Sequence, residues 1–366
     1  GVLAVTNDDE ANLAIAIAVR LLNPGIPVIA RAEQKSVAAN MASFGTDHII
    51  NPYERFADSL ALAVAAPERF RLIELLTSLP ETPLAEPHQP PHGHWILCGY
   101  GRFGHAVAER LRNTGIRLTI IDPAAGDADH DIIGDGTEAS TLRQAGISEA
   151  RGIVAGSNND INNLSIAVTA HELNPELFVV ARQNQAANNA LFAAYGADFT
   201  VLPSRVIAQE CIALLTAPLL ARFLDRVQQL DETQCRQLVE RLQAACAGLT
   251  PVVWDNRLNA AEAPASWQAL MHGRTIELGS LLADAADRQR RLPVVPLLVE
   301  RGTDYLLLPA DDFTLQAGDQ LLFASPLAAQ RELELTLRNA NELDYVLTGN
   351  DHSGSLLGKL LAGRTA

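Results

Sequence analysis

Short apolar runs alternate with amphipathic stretches along much of this chain. Residues 2–5 read as a buried strand, 12–22 as a helix closed by Asn23-Pro24-Gly25, and 28–30 as the next strand. Residues 35–44 form a short helix stopped by Gly45, 48–50 a strand closed by Pro52, and 53–79 a helical stretch with a break at Pro67. The alternation resumes with strands at 95–98, 117–121, 131–133, 152–155, 177–181 and 199–202. Helices fall between them at 104–113, 163–173 and 186–195, with a short one ending at Ala145. Strands and helices taking turns in this way predict βαβ units and a doubly wound parallel sheet. From 204 to about 248 the pattern is helical with one break near Asp231. Beyond it, 293–300, 305–309 and 320–324 read as strands, 316–319 as a turn and 275–284 as a short helix, giving a small α+β module. The tail from Asn339 is weakly patterned, and Asn350-Asp-His-Ser-Gly reads as a loop.

One unit occurs twice. Residues 1–57 align with residues 152–208 at a constant offset of 151, without gaps and with about 21 of 57 positions identical. Leu22-Asn-Pro answers Leu173-Asn-Pro, Ala30-Arg31 answers Ala181-Arg182, and Gly45-Thr-Asp answers Gly196-Ala-Asp. A glycine-rich segment, Gly99-Tyr-Gly-Arg-Phe-Gly104, precedes the second copy, whereas the first copy opens in mid-strand without one. The chain therefore reads as a piece of a longer protein with two such domains. Between the copies, residues 80–94 hold five prolines, the composition of an extended, semi-rigid linker and the clearest domain boundary.

Composition narrows the choices. Of the 366 residues 48% are hydrophobic but only 5% aromatic, so the core is mostly Ala, Leu, Val and Ile, as suits a parallel sheet under Ala-rich helices. The net charge of −15 argues against nucleic acid as a partner and against docking on an anionic membrane surface. Cys98, Cys211, Cys235 and Cys246 form no CxxC pair and no zinc-type spacing, so buried thiols in a reducing compartment are expected. No run reaches the ~18 apolar residues of a membrane span; the apolar stretch at 13–19 is too short.

The glycine segment carries the chemistry. It follows a strand and opens a helix, the setting of a Rossmann-like dinucleotide fingerprint. Gly99 suits the tight turn, Gly101 the approach of backbone to a pyrophosphate, and Gly104 close helix–strand contact. The helix N-terminus then offers free N–H groups to phosphate. Asp122 ends the next strand, 18 residues past Gly104, where an acid accepts from both ribose hydroxyls and repels a 2′-phosphate. NAD(H) or an adenine nucleotide thus fits better than NADP. The competing reading keeps the glycines for packing alone. Asp135, in Gly134-Asp-Gly-Thr137, lies at the carboxyl end of the third strand, facing the adenine or second ribose, or simply making a turn. Ser157 and Asn158, in Ser157-Asn-Asn-Asp160, either line the ligand or cap the following helix. Arg182 ends the fifth strand and has its twin in Arg31, placed for phosphate or for a salt bridge. Asp127, Asp129 and Asp131 alternate as hard-cation ligands do but lack calcium-loop spacing, so calcium is unsupported and no metal site is assigned. His105 reads as a surface or interface residue and Cys98 as a core thiol.

Cys98-Gly-Tyr-Gly-Arg-Phe-Gly, Ile120-Ile-Asp122, Gly134-Asp-Gly-Thr and Ser157-Asn-Asn-Asp together resemble the RCK domains, also called TrkA-N or KTN, of bacterial potassium channels and transporters. The resemblance covers residues 95–208, and 1–57 as the latter part of another copy; residues 250–326, with Leu315-Gln-Ala-Gly-Asp-Gln-Leu-Leu-Phe, look like the TrkA-C module. It implies a first RCK-like domain over 1–79, the linker at 80–94, a second RCK-like domain at 95–208, crossover helices at 209–249, a TrkA-C-like module at 250–330 and a tail at 331–366. It also implies a nucleotide, NAD(H) or ATP/ADP, held by Gly99, Gly101, Arg102, Gly104, Asp122 and Asp135, with Ser157, Asn158 and Arg182. The implied setting is a cytoplasmic gating assembly at the inner membrane. There the chain dimerises and builds a tetrameric ring of tandem domains that acts on a potassium pore, upstream in the parent chain or a separate subunit. One departure is Asp122 followed by Pro123-Ala-Ala, which thins the adenosine contacts.

The rival reading is an NAD-dependent oxidoreductase. Hydride chemistry needs a proton donor or acceptor beside the nicotinamide, and neither copy offers a His or Lys in a cleft-like motif. A non-enzymatic sensor is therefore expected.

Overall fold

All five residues of the strand His94–Cys98 are buried, and the larger sheet is built outward from it. The computed structural model describes residues 1–83, 89–124 and 132–350. It divides into two units, residues 1–70 with 86–212 and residues 71–85 with 213–366. The first unit runs β1 (Val2–Ala4), α1 (Asp9–Leu22), β2 (Val28–Arg31), α2 (Lys35–Ser43), β3 (His48–Ile50), α3 (Pro52–Ala65) and the start of α4 (Pro67–Thr77). It continues with β4 (His94–Cys98), α5 (Arg102–Asn113), β5 (Arg117–Asp122), β6 (Ile132–Ile133), α6 (Ala139–Gln144), β7 (Gly152–Ala155), α7 (Asp160–Leu173), β8 (Phe178–Arg182), α8 (Asn189–Tyr195), β9 (Phe199–Val201) and most of α9 (Pro203–Thr216).

As the alternation predicts, the fold is α/β with parallel, Rossmann-like sheets. Six parallel strands lie in the order β6-β5-β4-β7-β8-β9, and the direction of winding reverses between β4 and β7. Three more, β1-β2-β3, form a separate parallel sheet that is the repeat's counterpart of β7-β8-β9. Strand periodicity sorts the core. Trp95 and Leu97 of β4 pack with Phe103, Val107 and Leu111 of α5, while Ile96 and Cys98 pack with Leu142 of α6 and Ile166 of α7. Helix α3 of the first repeat joins this core, with Tyr53, Phe56, Leu60 and Val64 against α5; Phe56 stacks on Phe103 at 5.7 Å between ring centres. The two repeats are thereby fastened together through α3 and α5.

Both repeats carry the same buried polar frame. Asn12 and Asn163 are each fully buried. The Asn163 amide donates to the carbonyls of Ser157 (2.9 Å) and Arg182 (2.7 Å), and its carbonyl accepts the Ser157 N–H. Asn12 bonds Thr6 and Arg31 in the same way. Asp9 accepts from the N–H groups of Glu33 and Gln34, as Asp160 does from Asn184 and Gln185.

The second unit holds the rest of α4 with α10 (Pro218–Arg226), α11 (Glu232–Ala245), β10 (Val252–Arg257), α12 (Pro264–Met271), α13 (Leu278–Leu281), β11 (Val295–Arg301), β12 (Asp304–Leu307), β13 (Gln320–Ser325), α14 (Leu327–Arg338) and α15 (Ala340–Thr348). Its sheet is antiparallel, ordered β10-β13-β11-β12. Helices α10 and α11 cover one face through Leu219, Phe223 and Leu238, and α13 to α15 cover the other through Leu281, Leu333 and Leu343.

Several local readings change. The helical stretch expected to break only near Asp231 also breaks at Ala217, because Pro218 has no N–H to continue a helix and starts α10 instead. The helix expected over 275–284 shrinks to Leu278–Leu281, and β10 is a strand that the pattern did not announce. Residues 327–338, given no element by the pattern, form α14 with Leu333 and Leu337 inside and Leu335 61% exposed. The weakly patterned residues after Asn339 form α15. Asp131, residues 84–88 of the linker and the loop from Asp351 lie outside the described residues.

Two outcomes follow for stability. Replacing Asn163 with Leu strands buried backbone groups at Ser157 and Arg182 and should cost about 2–4 kcal/mol in denaturant unfolding. A loss under ~0.5 kcal/mol contradicts the frame. Burial pushes the Asp160 carboxyl up, but donors on Asn188, Asn184 and Gln185 outweigh it and hold its pKa below the ordinary carboxylate value. Its contribution is therefore fully present above the unfolded pKa of about 4 and lost as pH falls through the lowered folded value. Asp160→Asn should flatten the acid limb of a stability–pH curve, and an unchanged limb refutes the assignment.

Candidate functional site

The turn from β4 into α5 is built by its glycines, and each has a different reason to be one. Gly99 has φ +96°, and a Cβ there would lie 3.1 Å from the Ser157 nitrogen. A Cβ on Gly104 would lie 2.1 Å from the Gly99 carbonyl oxygen, so packing alone demands glycine. Gly101 has an ordinary φ of −77°, and a Cβ built on it meets nothing within 4 Å. No packing or backbone constraint among the described residues explains that glycine. As the N-cap of the twelve-residue α5 it supplies no side chain to the helix's first N–H groups, which are left for an anion.

Asp122, at the end of β5, braces this turn. One carboxylate oxygen accepts the Tyr100 N–H at 2.6 Å and the other the Ala124 N–H at 2.8 Å. Each oxygen keeps lone-pair capacity for a hydroxyl. Asp135 is exposed and accepts the Thr137 N–H in its own turn. Beside it, Gly136 leaves room for Cys98, whose thiol burial pushes up to about 12. Ser157 is half-buried and tied to Asn163, Asn158 is exposed next to it, and the helix cap falls to Asn159.

Arg182 ends β8 on the same rim. Its Nη2 donates to the Tyr53 hydroxyl at 3.0 Å, and the guanidinium lies 4.8 Å from the Tyr53 ring centre and 5.2 Å from that of Phe103. Its Nε is buried without a partner, and no carboxylate among the described residues lies within ion-pair distance. Burial lowers the Arg182 pKa, while Tyr53 and Glu33 oppose the shift; a guanidinium remains charged throughout the working pH range. Burial likewise raises the Tyr53 phenol, with Arg182 opposing and Glu33 adding to the rise.

Gly99, Gly101, Arg102, Asp122, Asp135, Ser157, Asn158 and Arg182 line one cleft of about 410 Å³, within the range of small-ligand sites. Gly104, the ninth residue singled out in sequence, lies beneath it in the core. Arg102 also has a partner the sequence did not suggest, Glu33 of the first repeat, at 3.1 Å. Arg31, the twin of Arg182, pairs with the same Glu33. Tyr53 was missed as well, because it reaches the cleft only through the packing of α3 on α5. Gly156 was also missed, although a glycine just past a strand at the carboxyl edge was a readable signal. His105 is exposed and stacks on Tyr100 at 3.8 Å. Among the described residues no group of three or more His, Cys, Asp or Glu side chains is arranged to hold a metal. Asp127, Asp129 and Asp131 lie outside the described residues. No described helix is long and apolar enough to cross a membrane.

The TrkA-N domain family matches residues 1–52 and 95–203. Potassium channel protein 1 of Methanocaldococcus jannaschii is 29% identical over 150 residues, which cover 38% of this chain and 45% of that protein. A Trk system potassium uptake protein TrkA homolog of Methanothermobacter thermautotrophicus is 31% identical over 135 residues, covering 34% of this chain and 62% of its own length. A crystal structure of GsuK bound to ADP aligns at 26% identity and a TM-score of 0.45, covering 58% of this chain and 50% of that one. The chain thus spans less than two thirds of the curated relatives it matches. Residues 1–52 and 95–203 are thus similar to the TrkA-N domain family, and parts of the chain are similar to potassium channel and potassium uptake proteins.

Proposed function

We propose that this chain is the nucleotide-sensing regulatory region of a potassium channel or transporter, with one nucleotide cleft in its second repeat. Gly101 carries the reading. It is a glycine that neither packing nor backbone requires, placed where a pyrophosphate would press against the main chain. The N–H groups opening α5 and the charge of Arg182 hold the phosphates. Asp122 accepts from the ribose, and Asp135 faces the second ribose or base. NAD(H), ADP and ATP all meet this description. Tyr53 and Cys98, titratable side chains of the cleft besides its acids and arginines, both have raised pKa values, and no His or Lys among the described residues lines it. It is thus better suited to holding a ligand than to moving protons for an oxidoreductase.

Regulation follows from linkage. A nucleotide that prefers one arrangement of the region shifts the pore equilibrium by its difference in affinity for the two arrangements. In this proposal the chain works on the cytoplasmic side of the inner membrane as a homo-oligomeric ring of tandem RCK domains. Residues 250–330 serve as a TrkA-C-like module, and the potassium pore belongs to the parent protein or a partner subunit.

Gly101→Ala should weaken binding of a fluorescent ADP analogue tenfold or more, about 1.4 kcal/mol. It should move the unfolding midpoint little, since its Cβ meets open space. Gly104→Ala should cost about 1–3 kcal/mol of stability. Equal nucleotide affinity in Gly101→Ala and the unaltered chain defeats the proposal. Asp122 repels a 2′-phosphate, so NADP⁺ should bind at least tenfold more weakly than NAD⁺ in the same assay, about 1.4 kcal/mol.

A further inference from the structure

The two repeats share a frame but differ in one charge on its rim. The frame uses the main-chain N–H groups at positions 33 and 184, which Asp9 and Asp160 accept, so the side chains there are free for other work. In the second repeat that side chain is the neutral Asn184, whose amide turns back onto Ser157 and Asp160. In the first it is Glu33, only 10% exposed, with one oxygen on Arg31 and the other 3.1 Å from Arg102 Nη2. Arg102 belongs to the other repeat. It follows Gly101, borders the nucleotide cleft, and with Glu33 and Tyr53 lines a second cleft of about 450 Å³ that opens beside it.

Glu33 therefore stands beside the nucleotide cleft, on the side where Arg102 borders it. The Arg102 side chain is 57% exposed, so the pair is weak enough to be exchanged, while Glu33 keeps Arg31 when Arg102 leaves. A phosphate reaching for Arg102 must displace a carboxylate and then sit near it, and that penalty grows with each added negative charge. Arg182 has no such rival within ion-pair distance among the described residues, and Glu33 acts on it only at longer range.

We propose that Glu33 is a specificity-determining residue of the nucleotide cleft, supplied by the first repeat, which competes with ligand phosphate for Arg102 and selects against ligands of higher phosphate charge. The inference rests on the nucleotide-binding reading above.

Calorimetric titration with AMP, ADP and ATP at fixed ionic strength tests it on the unaltered chain, E33Q, R102Q and the double variant. E33Q should tighten ATP roughly threefold to tenfold, ADP less and AMP least. R102Q, altered at a mostly exposed side chain, should move the series the other way and weaken ATP most, which keeps the test open if E33Q fails to fold. In the double variant the gain from E33Q should shrink. Equal weakening of all three ligands by E33Q makes Glu33 a mere brace for Arg102 and overturns the inference, as does indifference to the substitution. If the unaltered chain binds none of the three, the nucleotide reading itself has failed and the inference falls with it; if it binds them and Glu33 has no effect, only the inference has failed.

Discussion

Arg182 is a half-buried guanidinium at the carboxyl edge of a parallel sheet with no carboxylate at ion-pair distance among the described residues, and the character of the cleft depends on it. Burying a cation costs free energy unless something answers its charge. Here the answer is partial: the Tyr53 hydroxyl, two aromatic faces and a distant Gly156 carbonyl at 3.5 Å. No carboxylate among the described residues completes it. The start of α5 close by has no side-chain cap, and the space around Gly101 is open.

The duplicated frame shows how such a site arises without altering the fold. Asn12 and Asn163, Asp9 and Asp160, and Asp47 and Asp198 make the same main-chain bonds in both copies. The arginines at the strand ends have diverged in their partners. Arg31 is neutralised by Glu33, whereas Arg182 is left to Tyr53. The packing of α3 on α5 brings both arrangements to one rim, so that a residue of one repeat touches the glycine turn of the other.

Much of this was legible in the sequence because it is local. The glycine turn and Asp122 are fixed by spacing within one βαβ unit, and Arg182 by its twin at a constant offset. The α/β class followed from alternating apolar runs. Tyr53 and Glu33 were not legible, since their roles depend on contacts made across 50 residues or more of sequence; position 33 is one of many differences between the repeats until Arg102 is seen beside it. The roles of the glycines also needed coordinates, because spacing alone does not distinguish Gly104, which packing requires, from Gly101, which it does not. Helix α14 received no reading from the pattern: Leu333, Leu335 and Leu337 alternate with polar residues, and only the partner surface selects Leu333 and Leu337 as the buried pair.

The most direct measurement is the stoichiometry of nucleotide binding, read by isothermal titration of the chain with ADP. One cleft in the second repeat predicts saturation at one equivalent per chain and loss of the signal on Arg182→Gln. No heat from ADP, ATP or NAD⁺, or saturation that survives removal of Arg182, would mean that the cleft is not a nucleotide site.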